Sequence, residues 1–232
     1  MSIMGIIDLT LQYATPLWIG FKVTLLVSII SNFLGFILGI LICMMNLSKN
    51  RFIHSIAMVY IEAIRGTPEL LQIAMVYYGL PLIGIHLPPI DMGGFTSDRF
   101  ISAFLALMIN SSAYISEIVR GGIQSVDKGQ NEAALSLGFT KFQSLKWVVF
   151  PAAIKNIIPA LGNNFIVLIK SSAMVSTIGL ADLMYTANII RGNSFQPFMP
   201  LLIVAVMYLV LTLSLSALVR RFEKHLDKSS NS

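Results

Sequence analysis

A run of polar residues inside an apolar segment offers the chemistry needed to bind a charged ligand. Glu62, Arg65, Glu69 and Gln72 are separated by three, four and three residues, which places them on one face of a helix. A charge at the centre of a bilayer costs about 2.5–3.5 kcal/mol on insertion scales. We therefore expect this face to point into a helix bundle or a wet cavity, where Arg65 can pair with Glu62 or with the carboxylate of a ligand.

The same segment carries the signals of a broken helix. Pro68 removes a backbone donor and clashes with the preceding turn, and Gly66 adds backbone freedom beside it. Broken helices at membrane depth are tolerated where they line a cavity. The residues expected to line a pathway here are Glu62, Arg65, Gly66, Thr67 and Gln72. The alternative is a structural Glu62–Arg65 pair that locks neighbouring helices together.

A later apolar segment shows a second polar stripe. Lys155, Pro159 and Asn163 are four residues apart, and we expect the proline to interrupt the helix that carries them. Lys170 closes the same segment. It can face the pathway, or its side chain can extend to the membrane surface.

Two further charges are placed to pair with each other. Glu117 and Arg120 are three residues apart, which allows an ion pair on a helix surface. We predict a structural role, in which this pair fixes how the following loop leaves the membrane.

That loop predicts a short helix, a turn and another helix. The first helix starts near Asp127 and runs through Glu132, Ala133, Ala134 and Leu137, and Gly138 supplies the left-handed residue that commonly ends a helix. Thr140-Lys141-Phe142-Gln143 is a candidate capping box for the next helix. Small side chains on the first helix let a partner surface approach its backbone closely. The alternative is an ordinary polar loop between two membrane spans.

The elements that position these residues are membrane-spanning helices. The chain is 56% hydrophobic and 12% charged, whereas a soluble domain carries about 25% charged residues. About 20 apolar residues are needed to cross the hydrocarbon core. Five segments qualify, and we expect one domain, an all-α integral membrane protein over residues 1–232. The predicted spans are 18–45, 53–80, 100–119, 147–169 and 198–219.

The basic residues predict the orientation of these spans. Lys and Arg in short loops mark the cytoplasmic side, so the amino terminus is expected outside and the carboxyl terminus in the cytoplasm. We expect spans one and five to form a girdle that faces lipid. The residues that set the orientation are Lys49, Arg51, Arg120, Lys128, Lys141, Lys146, Arg220, Arg221, Lys224 and Lys228.

The spacing of the loop residues resembles a known family. Glu132-Ala133-Ala134, three residues, Gly138, nine residues and then Val148-Val149-Phe150-Pro151 is similar to the cytoplasmic coupling motif of permease subunits of ATP-binding-cassette importers. The segment from Arg65 to Pro68 with Gln72, and Ala113-Tyr114-x-x-Glu117-x-x-Arg120, resemble the branch of that family that carries polar amino acids. The similarity covers almost the whole chain.

The resemblance implies a type I permease fold of about five transmembrane helices with a cytoplasmic coupling helix in the loop at about 127–147. It implies multi-pass insertion in a bacterial cytoplasmic (inner) membrane. The implied partners are a cytoplasmic ATPase dimer, an identical or paralogous permease subunit and an extracellular or periplasmic amino-acid-binding protein. The ATPase is implied to dock on Gly129, Glu132, Ala133, Ala134, Leu137 and Gly138.

By the same resemblance, Lys170, Ser171 and Ser172 line the substrate pathway. The family often has Lys-Asp-Thr-Ser where this chain has Lys170-Ser171-Ser172-Ala173. Because the carboxylate at the second position is missing, we expect a neutral polar or acidic amino acid in preference to arginine or lysine.

Several functions are excluded or less favoured by the sequence. A phosphate-cradling Gly-x-x-x-x-Gly-Lys-Ser/Thr loop is missing, so this chain is not expected to be an enzyme, and no cofactor is expected. His54, His86 and His225 lack the spacing of metal ligands, and Cys43 is the single cysteine. The alternatives are a secondary, ion-gradient-driven transporter and a non-transporting membrane assembly subunit. An ion-driven transporter usually shows an internal repeat, and a non-transporting subunit does not need two broken polar spans.

Overall fold

The structure, a computed structural model, describes residues 3–228 as a bundle of helices. In this part of the chain no β-strand is formed, and one isolated bridge joins Asp91 to Thr96. The side chains of Lys224 and Lys228, which contributed to the predicted orientation, lie outside the described residues.

The first half of the chain forms five helices, of which the second and fifth are long. A short loop after α4 holds the isolated bridge and leads into α5. The helices are α1 (Ile3–Gln12), α2 (Ala14–Asn46), α3 (Arg51–Arg65), α4 (Glu69–Leu82) and α5 (Ser97–Gln124).

The second half begins with two short helices and continues into a long helical run. A π-helical turn (Leu145–Val149) leads into α8, and a 3₁₀ segment (Ser172–Ile178) follows it. The helices are α6 (Lys128–Ser136), α7 (Lys141–Ser144), α8 (Phe150–Ser171), α9 (Leu183–Ser194) and α10 (Met199–Lys228).

Among the described residues, four helical segments are long and apolar enough to cross a membrane: Ala14–Asn46, Ser97–Gln124, Lys141–Ile178 and Met199–Glu223. They contain the first, third, fourth and fifth predicted spans. The second predicted span is two helices, α3 and α4, because the chain breaks between Arg65 and Glu69. The predicted interruption at Gly66–Pro68 is therefore confirmed.

A seam of small residues joins α2 to α5. Gly35 and Gly39, one helical turn apart, let the two backbones approach. A Cβ built on Gly39 lies 2.9 Å from the Ser112 carbonyl oxygen and 2.8 Å from the Ile115 side chain. Small residues four apart are a common helix contact in membranes, where close van der Waals packing replaces the hydrophobic effect. The buried small residues of α2 are Gly20, Thr24, Ser28, Ser31, Gly35, Gly39 and Cys43, of which Gly20 and Thr24 meet the start of α9 instead of α5.

Two expectations about the spans need correction. α2 is not simply part of a lipid-facing girdle, since one of its faces is buried in the seam with α5. The helix α8 is not interrupted at Pro159, because it continues from Phe150 to Ser171. Within a membrane bundle a single proline is tolerated, since neighbouring groups satisfy the freed carbonyl.

We predict that Gly39→Ala destabilises the protein. Replacing a helical glycine with alanine gains about 1 kcal/mol of helix propensity, but the contacts at 2.8 and 2.9 Å force the helices apart, and overpacking costs about 1–3 kcal/mol. The unfolding midpoint of the purified protein in detergent should fall. Gly79→Ala on α4 is the matched control, because a Cβ there meets nothing within 4 Å. An equal or higher midpoint for Gly39→Ala would contradict close packing at the seam.

Candidate functional site

The break between α3 and α4 follows from its residues. Pro68 is the N-cap of α4, with φ −62° and ψ 133°. Thr67, which precedes the proline, is disfavoured in the helical region by the proline ring. Gly66 is needed because a Cβ there lies 2.7 Å from the Glu62 carbonyl oxygen. The chain therefore leaves α3 at Arg65 and starts α4 at Glu69.

Gln72 satisfies the backbone groups that the break leaves free. Its Nε2 donates to the Ile64 carbonyl oxygen at 2.7 Å and contacts the Oγ1 of Thr67 at 2.8 Å. Its Oε1 accepts a hydrogen bond from Asn110 Nδ2 of α5 at 2.9 Å. Because the side chain is buried and hydrogen-bonded at both ends, Gln72 holds the break in position. Its expected place on a substrate pathway stays a prediction.

A polar cavity of about 140 Å³ lies beside this break, between α4, α5 and α8. Glu69 is the charged residue among those that line it. Its Oε1 is buried and has no hydrogen-bond partner among the described residues, while the Ser171 side chain interacts with the carboxylate. The lining residues are Glu69, Asn110, Ser111, Tyr114, Asn164, Val167, Leu168 and Ser171.

The cavity carries the chemistry of a site for a positively charged group. Asn164 donates to Ser111 Oγ at 3.3 Å, so hydroxyl and amide dipoles surround one carboxylate. In a low-dielectric interior an unpaired carboxylate strongly favours a cation or a hydrogen-bond donor. Glu69 of α4 brings a carboxylate next to Ser171, the position at which the family often has Asp. The predicted preference for neutral or acidic amino acids considered the residue at position 171 and stays a prediction.

A second charged cluster lies farther along α5. Glu117 receives two hydrogen bonds from Arg120, at 2.7 Å from Nε and 2.8 Å from Nη2. Arg65 Nη1 reaches the same carboxylate at 3.3 Å from α3, and its guanidinium lies 5.5 Å from the ring centroid of Tyr114. The expected Glu117–Arg120 contact is thus present. The alternative Glu62–Arg65 pair is not formed, since the ion-pair partner of Arg65 among the described residues is Glu117.

The remaining pathway candidates do not line the Glu69 cavity. Glu62 is exposed and borders a separate cavity of about 370 Å³ with Glu117 and Arg120. Lys170 is exposed on α8. Ser172 is fully buried, and its hydroxyl donates back to the Ile169 carbonyl oxygen at 2.8 Å. Among Lys170, Ser171 and Ser172, it is Ser171 that lines the cavity.

Sequence reasoning did not assign Asn110, Ser111, Tyr114 or Asn164 to the site. A usable signal was present: Asn110 and Tyr114 are four residues apart on α5, and Asn164 and Ser171 are seven apart on α8, so each pair shares a helix face. The packing of α4, α5 and α8 against one another decides which of their polar faces meet.

The loop after α5 has the predicted helix–turn–helix form. Asp127 caps α6, accepting from the Gly129 amide at 2.6 Å, and Gly138 has φ +88° after the helix ends. Thr140 and Gln143 form the predicted capping box. Both features of the local prediction are confirmed.

The two faces of α6 differ in exposure. Ala134 is buried where α6 packs against α7 and the π-helical turn, and Asn131 accepts a hydrogen bond from Ser144 at 2.7 Å. The opposite face is exposed, and beyond its end Leu137 is 81% exposed. Leu137 is therefore a large apolar side chain left uncovered at the turn in which Gly138 has φ +88°. The exposed residues of the predicted docking set are Gly129, Glu132, Ala133, Leu137 and Gly138.

Comparison with known proteins gives a family match over most of the chain. Residues 31–228 match the family described as "Binding-protein-dependent transport system inner membrane component". The probable glutamine ABC transporter permease protein GlnM of Bacillus subtilis is 40% identical over 210 residues, which cover 90% of this chain and 93% of that protein. The arginine transport system permease protein ArtQ of the same organism is also 40% identical, covering 90% and 92% of the two chains.

Solved structures agree with the fold. A chain from the crystal structure of an amino acid ABC transporter with histidines superposes with a TM-score of 0.85 at 43% identity, covering 93% of this chain and 96% of that one. An inward-facing MetNI methionine ABC transporter chain has a TM-score of 0.70 at 18% identity, covering 90% and 95%. The second similarity shows the fold alone.

We predict that Gln72→Leu lowers stability, because it removes the hydrogen bonds that join the helix break to α5. The substitution keeps an apolar body but leaves the Ile64 carbonyl and the Asn110 amide without their partner, and each buried unsatisfied group costs about 1–3 kcal/mol. The unfolding midpoint in detergent should fall relative to the wild type. Gln12→Leu, at an exposed end of α1, is the control and should leave the midpoint unchanged. An unchanged midpoint for Gln72→Leu would show that the break does not depend on these bonds.

Proposed function

This chain belongs to the family of binding-protein-dependent transport system inner membrane components, and from that membership we propose that it is the membrane subunit of an ATP-driven importer of polar amino acids. The relatives with about 40% identity are named as glutamine and arginine permeases, which supports an amino acid as the substrate. The secondary transporter and the non-transporting assembly subunit are not favoured by this family.

The Glu69 cavity is the observation that supports an amino acid as the substrate class. An amino acid brings an ammonium group, and a half-buried carboxylate with one oxygen free of a partner, beside amide and hydroxyl groups, is suited to bind it. The volume of about 140 Å³ is below the roughly 300–1,000 Å³ of sites that enclose drug-sized ligands. In the conformation described, the cavity therefore accommodates one charged end group with a few waters. A cationic side chain, such as that of arginine, fits this chemistry as well as an α-ammonium does.

The exposed turn after α6 supports coupling to a separate ATPase. Leu137 and Gly138 stand at the tip of the loop, and the buried side of α6 is fixed to α7 through the Asn131–Ser144 hydrogen bond. A partner that pushes on this turn moves the end of α5, because the Asp127 cap follows α5 after two residues. We propose that Gly129, Glu132, Ala133, Ala134, Leu137 and Gly138 form the docking element, with buried Ala134 acting through packing.

The remaining assembly follows from the same proposal. We propose that the α5–α8 loop and the carboxyl terminus lie in the cytoplasm and the amino terminus outside, because the short loops on the first side are rich in Lys and Arg, which are retained on the cytoplasmic side. The chain acts as one transmembrane domain over 1–232. Its partners are an ATPase dimer, an identical or paralogous permease and an external amino-acid-binding protein, and ATP is hydrolysed on the ATPase.

We predict that Glu69→Gln weakens uptake of cationic amino acids while leaving membrane abundance unchanged. The amide keeps the size of the side chain but removes the charge that attracts an ammonium, so the concentration for half-maximal uptake of labelled arginine should rise about tenfold. The control is Asp8→Asn, which removes an exposed carboxylate from α1. Uptake by the Glu69→Gln complex equal to that of the wild type, for both arginine and glutamine, would reject the cavity as the substrate site.

We predict that Gly138→Val and Glu132→Lys abolish uptake without removing the protein from the membrane. At φ +88° a side chain costs roughly 1–2 kcal/mol, and valine is less tolerant still, so the turn changes shape. Reversing the charge at Glu132 alters the exposed face of α6. Gly192→Ala is the control, because a Cβ at either glycine meets nothing within 4 Å, but Gly192 lies inside helix α9 and does not have a positive φ. Uptake and co-purification of the ATPase should both be lost, and normal uptake in both variants would contradict docking at this turn.

A further inference from the structure

The Glu69 cavity and the charged cluster are stacked along α5 and share one wall. Asn110, Ser111 and Tyr114 line the cavity, and Glu117 is about 10 Å beyond Asn110 along the helix, at 1.5 Å per residue. Tyr114 lies between the two and is in contact with both, because Arg65 lies against its ring. In the proposed orientation, the charged cluster is on the cytoplasmic side of the cavity.

Arg65 is the weakly held member of this cluster. Arg120 makes two short contacts to Glu117, at 2.7 and 2.8 Å, and a third bond to Gln124 at 2.8 Å. Arg65 makes one longer contact, at 3.3 Å. If Arg65 withdraws, Glu117 stays neutralised by Arg120 on its own helix, so no unpaired charge remains in the bundle. The cluster therefore permits Arg65 to leave and return at low cost.

The helix that carries Arg65 is lightly embedded. The buried residues of α3 are Ala57 and Ile61, whereas α5 is buried along its whole length. Arg65 is also the last residue of α3, next to the break, where changes in backbone angles are absorbed without distorting a helix. A small shift of α3 relative to α5 separates Arg65 from both Glu117 and Tyr114.

We propose that Arg65 is the inner gate of the permease: held by Glu117 and lying against Tyr114, it closes the cytoplasmic end of the Glu69 cavity, and the substrate leaves when this contact opens. The gate rests on the proposed transport function. It assigns Arg65 a role different from direct substrate binding, because Arg65 does not line the cavity and is engaged by a carboxylate of the protein.

The gate is tested by the accessibility of the cavity from the cytoplasmic side. A thiol is introduced by Ser111→Cys in a Cys43→Ala background, and the complete complex is placed in inside-out membrane vesicles. The rate of modification by a charged, membrane-impermeant thiol reagent is then measured with Arg65 intact, with Arg65→Gln and with Arg65→Lys. Arg51→Gln, at the exposed opposite end of α3, is the control.

Loss of one partly exposed ion pair changes an open–closed ratio by roughly two- to fivefold. Modification should therefore be roughly two- to fivefold faster with Arg65→Gln, and close to the wild-type rate with Arg65→Lys and with Arg51→Gln. Equal rates for the intact gate and for Arg65→Gln would overturn the proposal. If Arg65→Gln fails to reach the membrane, Tyr114→Leu removes the other contact and should accelerate modification, and an unchanged rate there overturns it too.

The experiment separates failure of the gate from failure of the proposed function. Excess arginine or glutamine should slow modification of the introduced thiol when the gate residue is intact, because either one occupies the cavity. Faster modification in Arg65→Gln without protection by any amino acid would support the gate and reject the substrate site. Protection of the thiol by amino acids, together with an unchanged modification rate in Arg65→Gln, would support the substrate site and reject the gate.

Discussion

The constraint on which this structure depends is that backbone groups freed by a helix break inside a membrane must be hydrogen-bonded within the protein. The break at Gly66–Pro68 frees carbonyl groups at the end of α3, and Gln72 reaches back across the break to the Ile64 carbonyl oxygen. The same side chain accepts a bond from Asn110, so the break is tied to α5. As a consequence, Arg65 ends one helix and Glu69 begins the next, each at the helix end whose dipole suits its charge.

The seam between α2 and α5 makes this arrangement rigid. Because Gly35 and Gly39 have no side chain, the α2 backbone packs directly against α5. The cavity residues on α5 are thereby held from behind while α3, α4 and α8 meet its other faces. A polar site in hydrocarbon requires such support, because a buried polar group that loses its hydrogen-bond partner is costly in a low dielectric.

α5 also connects the cavity directly to the loop that carries α6. From Asn110 to Gln124 the helix rises about 21 Å, passing Glu117 and Arg120 before it reaches the Asp127 cap of α6. At its end, Ser125 accepts a hydrogen bond from Asn156 of α8 at 2.8 Å. In the proposed coupling, motion at the exposed Leu137–Gly138 turn reaches α5 and α8 through these contacts, and the charged cluster lies on α5 between the turn and the cavity.

The sequence by itself determined the features that depend on neighbouring residues: the apolar spans, the break before Pro68, the Asp127 and Thr140 caps, and the left-handed Gly138. These are set by local sterics and by hydrogen bonds within a few residues, which spacing reveals. Only the tertiary structure decided which polar groups meet, since Asn110 is 38 residues from Gln72 and Glu117 is 52 from Arg65. A helical stripe shows that Glu69, Gln72 and Arg65 share a face in an unbroken helix, but the break sends them to three different partners, and helix packing alone fixes which partner each one finds.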